Sequence, residues 1–214
     1  MNSIYKMLKR VLIETQFLPS LEFFCALLEF DQIEIEHYEH YVKQSFRNHT
    51  IINTANGLHK LVVPLASKGN RTYIKDVKID YSLNWMNNFW RTIESAYRKS
   101  PYYEHYAEDL QHELFKRKEF LVELNLDLLE LSLKWLRWEK KIVASGEYNK
   151  TPIIPDLRNV LISKKPYGLR NFYKPVPYTQ VFGTGFVENL SIMDLIFCKG
   201  PEAGGIIKAS RLNL

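Results

Sequence analysis

The residues best suited to chemistry lie in one run, Tyr41-Val42-Lys43-Gln44-Ser45-Phe46-Arg47-Asn48-His49, where cationic, amide and hydroxyl groups are too dense to spread over several faces. Such groups converge on something anionic or on buried backbone. Arg47 offers a planar fork that matches a phosphate or carboxylate, Lys43 a point charge, and Asn48 both a donor and an acceptor. A second use stays open for the same side chains: Arg47 can pair with one of the nearby glutamates, and Asn48 can tie down a loop. His37 and His40 add a His-x-x-His spacing. In a strand or loop the two rings need not point the same way, so no metal site is assigned. The five carboxylates between Glu29 and Glu39 read as a solvated acidic flank. No Gly-x-Ser-x-Gly elbow, phosphate-binding glycine loop or Gly-x-Gly-x-x-Gly occurs, so no catalytic residue and no cofactor is assigned.

These residues need elements to position them. Val11 to Ile13 reads as a buried strand, Leu18-Pro19 leads into an apolar helix of about ten residues around Leu21–Leu28, and Ile33 and Ile35 alternate with polar residues as a second strand. That order predicts a right-handed β-α-β start with parallel strands, whose carboxyl-end loops are where small-molecule sites gather. Gln16 and Pro19 lie at one such end, and residues 37–48 follow the other. Thr50–Asn53 and Leu58–Pro64 flank Asn56-Gly57, a hairpin signal in which both turn positions want positive φ. Ile74 to Asp80 alternates and predicts a further strand. Asp80 or Ser82 then caps a helix that buries Met86, Phe89, Trp90, Ile93 and Tyr97. Ser100-Pro101 divides it from a second helix carrying Tyr103, Tyr106, Leu110 and Leu114, and a third, from Phe120 to Trp138, is apolar on more than one face and so central. Trp85 and Trp90 are assigned to the core.

After Lys141 the composition changes, with Ser145-Gly146 and Pro152, Pro155 and Pro166 breaking any long helix. The division expected is an α/β core with its helical segment over 1–141 and a basic C-terminal segment, 142–214, belonging to the same domain. Within the latter, 156–161 is a candidate short element, and Asn189 or Ser191 caps a helix that ends at Gly200. The expected fold class is α/β: a β-α-β start with a mixed sheet, a hairpin, a helical middle, and a basic C-terminal segment packing back.

Charge follows the same division. Residues 1–149 balance 20 Lys+Arg against 20 Asp+Glu, whereas residues 150–214 hold 9 against 4, so the whole formal excess of +5 sits in the last third. A basic segment raises the local concentration of anions such as a nucleotide or sugar phosphate, or it is a solvated face. Its dispersed lysines and arginines carry no nucleic-acid-binding motif, and no nucleic-acid partner is expected. Tyr and Phe supply 25 residues, enough to fill a large core or line a ligand groove. Cys25 and Cys198 are too few and too far apart for a disulfide framework or a thiolate metal cage, which suits a reducing cytoplasm. Glu14 and Gln16 interrupt the apolar stretch near the N-terminus before a signal-peptide core is complete, and no apolar run reaches the ~20 residues that cross a bilayer. A soluble cytoplasmic protein without a transmembrane segment is the expectation. Nothing in the sequence specifies an oligomeric state.

The unusual strings fall in a recognisable order. They are Gln16-Phe17-Leu18-Pro19 with Glu22-Phe23-Phe24, the Tyr41–Asn48 run, Asn56-Gly57 with Val63-Pro64, Ile74-Lys75-Asp76-Val77, and Trp85 with Trp90. Then come Ala96 to Tyr106, Pro177 to Phe182 and Asn189 to Phe197. From about Leu12 to about Ala203 the chain resembles the WbqC-like family. The resemblance implies a transferase of an aminoacyl, acyl or related group acting on a nucleotide-activated or lipid-linked sugar in bacterial surface polysaccharide (O-antigen-like) biosynthesis. The alternative is a non-catalytic ligand-binding or scaffold protein of the same pathway. It also implies a substrate-binding set of Gln16, Lys43, Arg47, Asn48, Gln180 and Asp194, in which Lys43 and Arg47 hold an anionic nucleotide sugar or sugar phosphate while Asn48 and Gln180 orient it. If so, Lys43→Ala and Arg47→Ala abolish binding at nearly unchanged melting temperature; a large loss of stability would place them in the scaffold. Two departures matter. Where the family often has a second Arg this chain has His49, and where it often has a His before the second Trp this chain has Phe89. A general base at the latter position would have to be replaced by His49, His59 or His105.

Overall fold

A computed structural model describes residues 8–66 and 71–212. The basic N-terminal residues before Leu8 lie outside the described residues. The β-α-β start is present as β1 (Arg10–Glu14), α1 (Leu21–Leu27) and β2 (Gln32–Glu36), with β1 and β2 parallel and Glu14 opposite Glu36. Val11, Ile13, Ile33 and Ile35 are all fully buried, as strands covered on both faces require. The β3 (His49–Thr54) and β4 (Gly57–Val62) hairpin follows. Its turn is displaced by one residue from the expected position: Thr54 pairs with Gly57, Ala55 and Asn56 lie between, and only Gly57 adopts positive φ. A glycine placed after the turn lets an ordinary turn close the hairpin without Asn56 taking a left-handed conformation.

The strand expected over Ile74 to Asp80 is not formed. Ile74–Asp76 is a single 3-10 turn, and Lys78 and Ile79 make only isolated bridges. The amides of Ile74 and Lys75 donate instead to the carbonyls of Glu39 and His37, so this segment stitches down the loop after β2 rather than extending a sheet. The alternation had another cause: Ile74, Val77 and Ile79 all turn inward.

The helical middle comprises α2 (Trp85–Tyr97), α3 (Tyr103–Phe115) and α4 (Leu121–Leu136). α2 starts after Asn84, not at Asp80 or Ser82, and buries Trp85, Phe89, Ile93, Ala96 and Tyr97, leaving Met86 and Trp90 half-buried. α4 buries residues around most of its circumference and is the central helix. The chain then enters β5 (Lys141–Ala144), which pairs in parallel with β2 and makes β2 the middle strand of the order β1-β2-β5. β5 crosses the composition change at residue 141. Asp156 makes one parallel bridge to Leu12 on the free side of β1, so the segment between β5 and Asp156 passes across the carboxyl edge of the whole sheet.

The C-terminal segment packs back through α5 (Ile192–Lys199) and α6 (Ala203–Ala209). Ser20 and Ser191 bridge, Ile192 N–H donates to the Pro19 carbonyl, and Ser191 N–H to that of Ile51. Gly200 ends α5 at positive φ, where an added Cβ would lie 2.5 Å from the Tyr102 ring. Two arginines of this basic segment are ties, not solvated charges. Arg170 forms a bidentate pair with buried Glu22 at 2.6 Å, and Arg158 reaches Glu36 at 2.7 Å.

Candidate functional site

Three parallel strands ending together place Glu14, Glu36 and Ala144 at one edge, and each is followed by a loop. The carboxylates at that edge are buried, so each is satisfied by fixed donors. Glu14 accepts from Gln16 Nε2 at 2.9 Å and from the Asn159 amide at 2.8 Å. Burial raises its pKa, with the charge of Arg47 and the Gln16 hydrogen bond pulling the other way. Glu36 accepts from the Tyr38 amide, the Ser145 hydroxyl and Arg158.

Arg47 stands at the centre of this arrangement and is only 1% exposed. Its Nε donates to Glu39 Oε1 at 2.7 Å, and its Nη2 donates to Glu39 Oε2 at 2.6 Å and to Asn159 Oδ1 at 3.0 Å. Burial alone would lower its pKa, but the hydrogen bonds and charge of Glu39 outweigh this and raise it. Of the two uses the sequence left open for Arg47, the pairing with an upstream glutamate is the one formed.

Above this network lies a cavity of about 430 Å³ lined by Tyr38, Glu39, His40, Val42, Tyr73, Tyr148, Lys150 and Asn159. His40 stacks on Tyr73 with centroids 4.8 Å apart and planes 10° from parallel, and Tyr38 meets Tyr73 edge to face at 6.3 Å. Tyr148, also in the lining, lies over the Arg158 guanidinium at 4.6 Å. Arg158 in turn holds Asp156 and the Asn149 carbonyl, so it fixes the loop that carries Tyr148 and Lys150. The result is an aromatic-walled cleft with a carboxylate and an amide at its floor and a lysine at its rim. That chemistry suits a ring with hydroxyl groups and an attached anion.

The residues singled out from the sequence fall into separate places. Gln16 is buried below the cleft, donating to Glu14 and to the Leu161 carbonyl, and its Oε1 has no protein partner among the described residues. Asn48 donates to the Val63 carbonyl at 3.0 Å, the loop-tying use. Lys43 is exposed and borders a smaller hollow of about 240 Å³ with Tyr41, Asn48 and Val62 to Leu65. Gln180 and Asp194 belong to a different cluster. Buried Asp194 accepts from Tyr97 at 3.0 Å, Tyr178 at 2.6 Å and Gln180 at 3.1 Å, and Gln180 also clamps Val187 through both its amide oxygen and nitrogen. Burial raises the Asp194 pKa, with these neutral donors pulling it down. Among the described residues no hydrogen bond joins the Gln16–Arg47 network to the Gln180–Asp194 cluster.

The histidines considered as replacements for a missing base are also placed. His49 is buried, and burial together with the charge of Lys60 lowers its pKa to about 4. His59 and His105 do not line the aromatic cleft. Phe89 packs against Phe17 and Trp85 in the core. His40, read from the sequence only as half of a metal spacing, is the imidazole that reaches the cleft. Tyr73, Tyr148, Lys150 and Asn159 carried no local signal at all.

Comparisons with known proteins agree with the strings from Gln16 to Tyr106, while those from Pro177 onward lie beyond the family match. An uncharacterized protein of Mycobacterium tuberculosis is 24% identical over 232 residues, covering 96% of this chain and all of that protein. No solved structure matches. The WbqC-like protein family matches over residues 15–165, which takes in Gln16, the Tyr41–Asn48 run and every residue lining the aromatic cleft, while the Gln180–Asp194 cluster lies beyond it. This chain belongs to the WbqC-like protein family.

Proposed function

We propose that this protein is a cytoplasmic transferase that binds a nucleotide-activated or lipid-linked sugar in the aromatic cleft and transfers an aminoacyl, acyl or related group to or from it in bacterial surface polysaccharide synthesis. The observation that supports this most is the cleft's position and lining: stacked His40 and Tyr73 sharing one cavity with Tyr148, Glu39 and Asn159 at the carboxyl edge of a parallel sheet. A sugar ring lays its C–H face on such rings and turns its hydroxyls to the carboxylate and amide, and Lys150 meets the phosphate. In this reading Arg47 orients Glu39 and Asn159 rather than touching the anion. His40 is the side chain placed to exchange a proton with the acceptor, and much of the acceleration comes from positioning.

One observation favours a binding protein without turnover. Both oxygens of Glu39 are taken by Arg47, and among the described residues no serine, threonine or cysteine lines the cleft. The test is thermal stabilisation by nucleotide sugars, sugar phosphates and acyl-coenzyme A, followed by product detection with the pairs that bind. A ligand in ~100-fold excess over its Kd adds about 2.7 kcal/mol. Tyr73→Ala and Lys150→Ala should remove the shift. Stabilisation by no anionic sugar sinks the proposal, and stabilisation without product in any pairing selects the binding reading.

A further inference from the structure

The segment from Ser145 to Asp156 crosses the carboxyl edge of the sheet, because β5 lies on one side of β2 and Asp156 bridges the far side of β1. At its middle Ile153 is completely exposed, at 101% of its reference area. The same end of the molecule carries Val42, Tyr73 and Tyr148, each more than two-fifths exposed, around the mouth of the aromatic cleft. Basic residues gather there as well. Ser163 donates to the Gln44 carbonyl at 2.9 Å, which brings Lys164 and Lys165 beside Lys43, while Lys150 stands at the cleft's rim. Among the described residues none of these four lysines has a carboxylate partner within salt-bridge distance, whereas Lys75 on the same end is paired with Asp76. The exposed acids of the crossing segment are Glu147 and Asp156, and Asp156 is paired with Arg158 at 2.7 Å.

An exposed isoleucine and valine, tyrosines with their polar tips at the surface, and unpaired lysines around them make up the chemistry of an interfacial anchor. We propose that this edge docks on an anionic lipid bilayer, with Ile153 and Val42 entering the headgroup boundary and Lys43, Lys164 and Lys165 meeting lipid phosphates. The charge complementarity selects a lipid surface over a second copy of the chain, since two such faces would set lysine against lysine. Docking turns the cleft's mouth toward the membrane. The surface shares Val42, Tyr73 and Tyr148 with the cleft's rim, but the residues its test changes, Ile153, Lys164 and Lys165, lie outside the cleft's lining, and the test uses no sugar substrate.

The experiment is co-sedimentation of the purified protein with vesicles of phosphatidylcholine alone and of phosphatidylcholine mixed with phosphatidylglycerol, at low and high salt. Retention on the anionic vesicles only, released by salt, is expected. A lysine near an anionic surface contributes about fivefold to partitioning, so Lys164→Glu with Lys165→Glu should cut retention by roughly 30-fold or more. Ile153→Asp should cut it severalfold without altering the melting temperature, since that side chain touches nothing. No retention on either vesicle type, equal retention on both, or retention that neither variant reduces overturns the proposal. A dimer in solution that Ile153→Asp dissociates, without vesicle retention, also overturns it and reassigns the face to self-association.

Discussion

Two regions of this molecule bury a carboxylate in opposite ways. At the sheet edge Glu39 is met by the guanidinium of Arg47, a charge for a charge, with Glu14 close by. In the first turn of α5 Asp194 is met by two tyrosine hydroxyls and the Gln180 amide, all neutral. The first arrangement sets a paired guanidinium and carboxylate against a cleft. In the second, burial pushes the carboxyl toward its protonated form, and the donors hold helix, loop and chain end together. A buried charge that is fully paired can be held rigidly beside a binding site, whereas a carboxylate met only by neutral donors is better placed to fasten structure.

The comparison breaks most visibly at Arg47. Arg47→Ala strands Glu39 and Glu14 without a cation, and a loss of about 3–5 kcal/mol in urea unfolding is expected. The double variant Glu39→Gln with Arg47→Met should lose clearly less than the two single losses added together, and additive losses would show that the pair is not coupled. Asp194→Asn exchanges one acceptor for a donor among neutral partners and should cost only about 1–3 kcal/mol. Its pH dependence sharpens the contrast. Because the folded-state pKa of Asp194 is raised, its contribution is fully present below the unfolded carboxylate pKa and is lost as pH rises through the folded value. The deficit of Asp194→Asn against the parent should therefore be larger at acidic pH than at neutral pH.

His49, next to the Arg47 network, titrates with the opposite sign. Its pKa falls from the ordinary imidazole value of 6.5 to about 4, so the unfolded chain takes the proton first as pH is lowered. Up to about 3 kcal/mol of stability should disappear between about pH 6.5 and pH 4, with no further loss from this group below that, and His49→Gln should flatten the profile in this window. The smallest effect on stability belongs to the cleft wall. Tyr148→Ala should change unfolding by about 0.5 kcal/mol or less while weakening a bound sugar roughly tenfold in calorimetric titration.

Much of the fold was legible in the chain. The Val11–Ile13 and Ile33–Ile35 patterns located two parallel strands, and Phe120 to Trp138 marked the central helix, because burial on two faces and burial around a helix leave different apolar periods. β5 was missed because four residues, Lys141–Ala144, half of them half-buried, show no period of their own, and only pairing with β2 makes them a strand. Ile74 to Asp80 misled for the reverse reason: its alternation records inward-facing side chains, while its amides hold the loop after β2.

The candidate site divides along the same line. Sequence alone determined that a dense polar run follows a strand end, that the chain carries its positive excess in the last third, and that its strings match one family, since residue identity and order survive without coordinates. Tertiary structure decided what each polar group does. Whether Arg47 meets an anion or Glu39 depends on a distance between residues eight apart in a loop, and whether Tyr73, Tyr148, Lys150 and Asn159 share a cleft with His40 depends on a sheet whose third strand lies more than one hundred residues after its second. Those separations are closed by packing, and local sequence carries no record of them.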